Sequence, residues 1–509
     1  GGVGGAYFAI KASSGFANDL RKDLFRKIQQ FSFTNIDRYS TGSLITRLTN
    51  DITQIQNMLQ MLLRMALRAP GMLIGALIMS FVLNPELAMV ILCVIPLLAL
   101  AIYFIIKTAF PRFQIMQQKL DALNTATQEN LRNIRVVKSF VRERFEEEKF
   151  RKANMDLKES TLKAIKVVIF AMPVMTLAMN ITTLAVVGFG GYQVIIGGMT
   201  AGVLTAFINY VVQILMSLMI VSMIILSGTR SLASAKRIDE VLCTDIDLTD
   251  EQALHKDLSV QHGKIEFRNV FFKYYKDNKK WVLEDINLVI NPGETVGIIG
   301  STGSGKSSLV QLIPRLYDVD QGEVLVDGVN VKDYSLKNLR NGVGIVLQKN
   351  VLFSGTIKEN LKWGDEQAAE AAVYQCAEMA QAHGFISSFK EGYDTEVEQG
   401  GANLSGGQKQ RLCIARALLK IPKILILDDS TSAVDTATEA KIRESLKNEL
   451  RGTTKIIIAQ RISSVIDADK IVVLDDGKIV GMGTHTELLQ NCEAYSEIYY
   501  SQTDKKVTA

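Results

Sequence analysis

The sequence has few cysteines and no marked excess of charge of either sign. Its five cysteines are scattered over 509 residues without any C-x-x-C pair, which argues against a zinc site and against a disulfide framework. Lysine and arginine (57) almost balance aspartate and glutamate (53), so the net charge is only +4. Nucleic acid is therefore not expected as a partner.

The first half of the chain also contains long apolar runs that lack charged residues. From Val167 to Thr229 there is no Asp, Glu, Lys, Arg or His, and this run is long enough for two membrane spans of about 20 residues each. Two further apolar runs, Ala69 to Pro85 and Leu87 to Ile106, are separated only by a tight turn around Glu86. The pattern predicts four membrane helices and hence a lipid bilayer around them.

Basic residues indicate which connecting segments are cytoplasmic. Residues 107–166 carry fourteen Lys and Arg, whereas the turns at 84–86 and 197–200 carry none. The positive-inside bias assigns this segment to the cytoplasm, and its few helix breakers predict that the spans continue as long helical stalks. The basic segment 17–51 is assigned to the same side. On this topology residues 1–14 are the end of a descending helix, and we expect a first span to be missing before them.

The composition changes in the second half of the chain. Charges return after Arg230, and strand-like alternation begins at Lys264. Strands, Gly-rich turns and helices then alternate, which is typical of an α/β core on a partly parallel sheet. We predict an integral-membrane α-helical bundle at 1–245, with helices extending into the cytoplasm, a linker at 246–263 and an α/β domain at 264–509.

A glycine-rich loop in the second domain predicts a nucleotide site. G-S-T-G-S-G-K-S at 300–307 fits G-x-x-x-x-G-K-[ST] and follows a strand-like run, as the motif requires. Its glycines allow backbone N–H groups to surround phosphates, its lysine neutralises their charge and its last serine can bind Mg²⁺. The predicted nucleotide-binding residues here are Gly300, Ser301, Thr302, Gly303, Ser304, Gly305, Lys306, Ser307 and Ser308.

A buried strand that ends in two carboxylates supplies the rest of the predicted site. The apolar run 424–427 precedes Asp428 and Asp429, which would put Asp428 beside the Mg²⁺ held by Ser307. Together with the loop about 120 residues earlier, this pattern predicts a P-loop domain that binds a nucleoside triphosphate with Mg²⁺.

A third motif resembles the signature of ABC ATPases. It lies between the other two and consists of Leu404, Ser405, Gly406, Gly407 and Gln408. The segment T-G-S-L-I-T-R-L-T-N-D at 41–51 resembles exporter-type ABC membrane domains, so the resemblance extends over nearly the whole chain. The chain is most similar to bacterial heterodimeric multidrug exporters, which implies a bacterial cell membrane with the ATPase domain in the cytoplasm.

The resemblance implies further roles. Tyr274 occupies the position that stacks on adenine, and Gln348 the position that senses Mg²⁺ and couples to the membrane domain. Segments 37–43 and 133–139 lie where the family has short coupling helices. In this family ATP is held between the P-loop of one cassette and the signature of another, which implies a second ABC half-transporter as a partner.

Two positions depart from the family pattern. Asp429 replaces the catalytic Glu and is one methylene shorter; Gln460 replaces the switch His and cannot carry imidazolium charge. We therefore predict a degenerate site in a heterodimer whose partner does most of the hydrolysis. The absence of charge in 167–229 favours small amphipathic substrates. A homodimeric lipid or peptide exporter and an ATP-gated channel or regulatory subunit stay open as alternatives.

Overall fold

The computed structural model describes residues 2–275, 278–430 and 433–502. It consists of two compact units. One unit comprises Gly1–Gln29 and Thr41–Cys243, and the other comprises Gln30–Ser40 and Thr244–Ala509. Residues 30–40 lie between two helical segments of the first unit in sequence. They nevertheless belong to the same unit as the α/β domain. The predicted boundaries at 245 and 264 stay predictions.

The first unit is helical throughout its described elements. The helices up to residue 242, of which α2 belongs to the second unit, are α1 (Gly2–Gln29), α2 (Phe33–Arg38), α3 (Thr41–Thr46), α4 (Ile52–Met61), α5 (Arg68–Leu83), α6 (Pro85–Arg132), α7 (Ile134–Ser139), α8 (Glu143–Ile195) and α9 (Ala201–Leu242). π-Helical turns at Arg47–Asp51 and Leu62–Ala66 join α3, α4 and α5 into one longer helical run.

Three helical segments among the described residues are long and apolar enough to cross a membrane: Thr41–Leu83, Thr176–Ile195 and Ala201–Val221. The spans predicted at 69–85 and within 167–229 fall in these segments. The span predicted at 87–106 lies in α6, whose described apolar stretch is Pro85–Leu97. Its side chains at 98, 99, 101, 102 and 106 lie outside the described residues, so the full length of that span stays a prediction.

The tight reversal between α5 and α6 has a local cause. Asn84 is extended, and its side chain accepts a hydrogen bond from the backbone N–H of Leu87 at 3.1 Å. Pro85 follows in the first turn of the helix, where its missing N–H costs no hydrogen bond. From this start α6 runs for 48 residues, and α8 for 53. A membrane needs about 20 residues, so the predicted extension of the spans as long helices is confirmed.

An ion-pair network around the buried Asp51 holds α9 against segment 41–51. Asp51 is only 3% exposed and accepts hydrogen bonds from Arg237 Nε at 2.8 Å and from Ser234 Oγ at 2.9 Å. Arg47 Nη1 donates to the carbonyl oxygen of Arg237 at 2.7 Å and its Nη2 pairs with Glu240 at 3.0 Å. A buried carboxylate is tolerated here because neighbouring groups compensate its charge.

The second unit contains two main sheets and packs its helices around them. Its strands are β1 (Ile265–Phe272), β2 (Leu283–Ile290), β3 (Thr295–Gly300), β4 (Gln321–Val326), β5 (Val329–Asn330), β6 (Val343–Val346), β7 (Gly355–Thr356), β8 (Glu396–Val397), β9 (Ile424–Asp428), β10 (Thr454–Ile458), β11 (Lys470–Asp475) and β12 (Lys478–Gly483). Its remaining helices are α10 (Lys306–Gln311), α11 (Leu336–Gly342), α12 (Ile357–Lys362), α13 (Glu370–Met379), α14 (His383–Ser388), α15 (Gly406–Leu419), α16 (Thr436–Glu449), α17 (His485–Asn491) and α18 (Glu493–Gln502).

The larger sheet is mostly parallel, as the sequence predicts. Its strand order is β12-β11-β3-β10-β9-β6, and only β12 runs antiparallel to its neighbour. All five residues of β9 are buried, which is typical of a parallel strand covered on both faces. The smaller sheet, β2-β1-β4-β5, is antiparallel and packs into the same core.

The ion-pair network yields a test of stability. We expect Asp51→Asn to lower the thermal denaturation midpoint of the detergent-purified protein by about 2–5 °C, because the buried side chain would lose its charge-assisted hydrogen bonds from Ser234 and from the half-exposed Arg237, at a cost of about 1–2 kcal/mol. As a control, Asp19→Asn removes an exposed carboxylate 3.7 Å from Lys22 and should shift the midpoint by less than about 1 °C. Equal midpoints for the two variants would contradict the assignment.

Candidate nucleotide-binding site

Three neighbouring parallel strands end at the same edge of the larger sheet. β10 lies between β3 and β9, and Ile458 at its end is paired with Asp428. The chain continues from β3 into the loop at 301–305, from β9 into Asp429 and from β10 towards Gln460. Because parallel strands direct their carboxyl ends to one edge, the glycine-rich loop, the carboxylates and the glutamine converge there.

Two glycines of the loop have conformations that side chains rarely adopt. Gly300 has φ +155°, and a Cβ there would lie 2.0 Å from the carbonyl oxygen of Leu474. Gly305 has φ +97° immediately before α10, where a Cβ would lie 2.9 Å from the carbonyl oxygen of Val282. Only glycine fits at both positions, so the loop presents backbone groups rather than side chains to the cleft.

The side chain of Lys306 is folded back over this loop. Its Nζ donates hydrogen bonds to the carbonyl oxygens of Gly300 at 2.8 Å and Ser301 at 2.7 Å. Burial lowers the pKa of the Lys306 ammonium, while the carboxylates of Asp428 and Asp429 oppose that shift. A partly desolvated cation thus lies beside the backbone groups that would surround phosphates.

Ser307 and Asp428 form the pair that the sequence predicts for Mg²⁺. Ser307 Oγ donates to Asp428 Oδ1 at 3.0 Å, and Asp428 is almost fully buried at the end of β9. Burial raises the pKa of Asp428, and the hydrogen bond from Ser307 opposes this. A hydroxyl and a carboxylate are oxygen donors of the kind that Mg²⁺ prefers, so the residues fit that ion.

The two positions that depart from the family pattern are hydrogen-bonded to each other. Gln460 Nε2 donates to Asp429 Oδ2 at 2.8 Å. Asp429 has φ +47°, and its backbone N–H is bonded to the carbonyl oxygen of Ile458 at 3.0 Å. Burial raises the pKa of Asp429, and the side-chain amides of Gln348 and Gln460 partly offset the shift.

Tyr274 lies beside the first turn of α10. Its hydroxyl is 2.7 Å from Ser308 Oγ, and its ring packs edge-on against Phe272 and Tyr317 at centroid distances of 5.0 and 5.1 Å. Burial raises the pKa of the Tyr274 hydroxyl. The ring is therefore held between the glycine-rich loop and an aromatic cluster.

The cleft has a volume of about 580 Å³. It brings together Tyr274, the loop from Gly300 to Ser308 without Ser304, and Gln348, Asp428, Asp429 and Gln460. Ser304 is buried beneath the loop. The sequence analysis missed Ile498 and Gln502 of α18, which also line the cleft. No motif marks them, because their place depends on how the C-terminal helix packs.

The signature residues lie elsewhere. Ser405 is the N-cap of α15: its hydroxyl accepts from Gln408 N–H at 3.3 Å, and Gln408 Oε1 accepts from Ser405 N–H at 2.9 Å. This reciprocal capping fixes the start of the helix. Leu404 is buried, whereas Ser405 and Gly406 are exposed and Gly407 and Gln408 are partly exposed. Among the described residues that line the cleft, none comes from this motif.

Residues 30–40 pack against the α/β domain within the second unit. Tyr317, mostly buried, donates its hydroxyl to Asp37 Oδ2 at 3.0 Å, and its ring lies 5.9 Å from that of Phe33 in α2. The same Tyr317 ring contacts Tyr274. Segment 37–43 is thus partly helical, in α2 and α3, and segment 133–139 contains α7.

Family models match both parts of the chain. Residues 1–218 match the family model of the ABC transporter transmembrane region, and residues 283–432 match the family model described as ABC transporter. A Bacillus subtilis protein named as an uncharacterised ABC transporter ATP-binding protein, YfiB, is 43% identical over 501 residues, which are 98% of this chain and 86% of that protein. A Staphylococcus aureus protein, whose name gives multidrug export as its candidate role, is 37% identical over 497 residues, with coverages of 97% and 86%.

A solved structure has the same architecture. It is that of a bacterial Atm1-family ABC exporter with ATP bound, with a TM-score of 0.83 and 27% identity over 97% of this chain and 86% of that one. The order of the two parts, membrane helices before the ATPase domain, is that of exporters. This chain therefore belongs to the ABC transporter family, as a multi-pass membrane half-transporter of the exporter type with a transport-ATPase domain.

Proposed function

We propose that this chain is the slowly hydrolysing subunit of a heterodimeric ABC exporter for small amphipathic compounds. Its own ATP site is degenerate, while its signature, Leu404 to Gln408, completes the site of a second half-transporter. The observation that carries the proposal is the hydrogen bond of 2.8 Å between Gln460 and Asp429. It joins the two side chains that replace the family's catalytic Glu and switch His.

ATP fits the cleft with its phosphates in the loop. The backbone from Gly300 to Ser307 and the lysine within it offer N–H groups and positive charge. Ser307 Oγ and Asp428 Oδ1, 3.0 Å apart, are suited to hold Mg²⁺. When bound, this ion neutralises charge on the β- and γ-phosphates. By resemblance, Tyr274 is assigned to the adenine and Gln348 to the Mg²⁺ end.

Asp429 is poorly suited to act as a general base. Its side chain is one methylene shorter than that of Glu, and a misplacement of about 1 Å can cost about 100-fold in rate. The amide of Gln460 donates to Oδ2 of its carboxylate at 2.8 Å, so an oxygen that would accept a proton from water is already hydrogen-bonded. Its raised pKa favours proton acceptance, but geometry takes precedence over pKa in general-base catalysis.

Gln460 also lacks the chemistry of the residue it replaces. Its amide can donate a hydrogen bond to a γ-phosphate but carries no charge, unlike an imidazolium. That amide is already bonded to Asp429. Nucleotide binding with slow turnover is the behaviour that both substitutions favour.

The exposed signature supports the role of a partner. Ser405 and Gly406 face solvent at the start of α15, away from this chain's own cleft. They are therefore accessible to ATP held by a second cassette. The absence of charged residues from 167 to 229 favours apolar or amphipathic cargo, and the name of the Staphylococcus aureus relative agrees with such cargo.

The first test is ATP hydrolysis. The full-length chain alone in nanodiscs is expected to release phosphate slowly, and Asp429→Asn should change that rate by less than about twofold because Asp429 is not the base. Adding a second half-transporter whose cassette has Glu and His at the positions of Asp429 and Gln460 should raise turnover by about tenfold or more. The control, Lys306→Ala, should abolish MgATP binding to this chain's own site. Strong turnover by the chain alone that Asp429→Asn removes would indicate a homodimeric pump.

A gain-of-function variant tests the degeneracy directly. Asp429→Glu combined with Gln460→His is expected to raise phosphate release by about 10- to 100-fold, since it restores the reach of the base and the switch cation. The assay uses the chain alone, reconstituted at a protein-to-lipid ratio at which cross-linking shows that the cassettes are paired. In such a pair each copy supplies its intact signature to the other. The matched control adds Ser307→Ala to the double variant and should remove the gain. A paired double variant without a gain would contradict the degenerate-site assignment.

Transport is tested in inverted vesicles that contain the co-expressed pair. ATP is expected to drive uptake of a cationic amphipathic dye to an internal concentration several-fold above the external one, because alternating access couples hydrolysis to movement. Vesicles with Ser405→Arg in this chain serve as the control and should show no uptake, because this change would block the partner's site that the signature completes. Uptake that stops at equal concentrations would indicate an ATP-gated channel instead.

A further inference from the structure

Helix α18 holds the segment that follows β10. The carboxamide of Gln502, in the last turn of α18, makes two hydrogen bonds to the backbone of that segment. Oε1 accepts from the N–H of Ile462 at 2.8 Å, and Nε2 donates to the carbonyl oxygen of Gln460 at 2.8 Å. One side chain thus engages an acceptor and a donor two residues apart.

The helix that carries Gln502 is firmly anchored. Tyr495 is fully buried, and its hydroxyl is 2.8 Å from His485 Nδ1. Ile498 packs on the cluster that contains Ile462 and Val465, beside the same segment. α18 is therefore part of the core of the α/β domain, and Gln502 is presented from a fixed support.

The backbone that Gln502 holds lies beyond the regular sheet. β10 ends at Ile458, and the last backbone bond to β3 is from Ala459 N–H to Ile298 at 3.3 Å. Gln460 follows directly, and its side chain reaches Asp429 at 2.8 Å. The position of that side chain depends on backbone that no strand ladder constrains, so another contact has to fix it.

We propose that Gln502 is a positioning residue for the γ-phosphate end of the site. By bridging Ile462 and Gln460, it fixes the backbone from which the Gln460 side chain reaches Asp429 and the γ-phosphate. The inference rests on the proposed function, in which this cleft binds MgATP. It adds a residue outside every recognised motif and makes the C-terminal helix part of the nucleotide site.

The test compares MgATP with MgADP, because only ATP carries the γ-phosphate that Gln460 would contact. Dissociation constants are measured with full-length chain in nanodiscs, by competition against a fluorescent ATP analogue. We expect Gln502→Ala to weaken MgATP binding about fivefold and MgADP binding by less than about twofold, as the loss of hydrogen bonds that orient one group predicts. Gln502→Glu keeps the acceptor for Ile462 but loses the donor to Gln460, and we expect it to weaken MgATP binding by less than the alanine variant does.

A double-mutant cycle separates positioning from a general structural role. In a Gln460→Ala background, Gln502→Ala should have no further effect on MgATP binding, because the side chain that it positions is gone. The matched control is Gln490→Ala, on the exposed surface of α17, which should leave both nucleotides unaffected. Equal weakening of MgATP and MgADP by Gln502→Ala, or a full effect in the Gln460→Ala background, would overturn the inference.

Two results distinguish this inference from the proposed function. A wild-type chain that binds neither MgATP nor MgADP would overturn both. A wild-type chain that binds both nucleotides, with Gln502→Ala unchanged towards each, would overturn the role of Gln502 alone.

Discussion

The nucleotide site depends on the parallel pairing of β3, β10 and β9. Each strand is short and apolar, yet together they bring a glycine loop, two aspartates and a glutamine to one edge of the sheet. The glycine loop lies more than a hundred residues before the aspartates in sequence, and only the sheet registers Ile458 against Asp428 and Ile298. Because β9 is buried along its whole length, its register is set by packing on both faces of the sheet rather than by an alternation of polar and apolar residues.

The same edge supports binding chemistry and catalytic chemistry to different degrees. The elements that we propose for binding are all present: the strained glycines, the folded-back lysine and the serine–aspartate pair. In the proposed function the catalytic positions are occupied by Asp429 and Gln460, which hydrogen-bond to each other. On that proposal the cassette is suited to hold nucleotide between two subunits, since binding needs the loop whereas turnover needs a well-placed base.

Tyr274, which lines the cleft, is linked to residues 30–40 through Tyr317. Tyr274 contacts Tyr317, and Tyr317 donates to Asp37 and packs near Phe33. These residues form a continuous contact from the position assigned to adenine to the short helix α2.

The sequence by itself determined the elements that depend on residues close together in the chain. A run without charge predicts membrane helices, and G-x-x-x-x-G-K-S after an apolar strand predicts a phosphate loop, because each pattern expresses local physics over a few turns or strands. The helices α6 and α8 were expected to be long for the same reason. Only the tertiary structure decided that Gln460 bonds to Asp429, that Gln502 bridges Gln460 and Ile462, and that residues 30–40 join the α/β domain. These contacts join residues that are 31, 40 and 280 positions apart in sequence. Local periodicity does not indicate which distant hydrogen-bonding groups will be brought within about 3 Å of each other by packing.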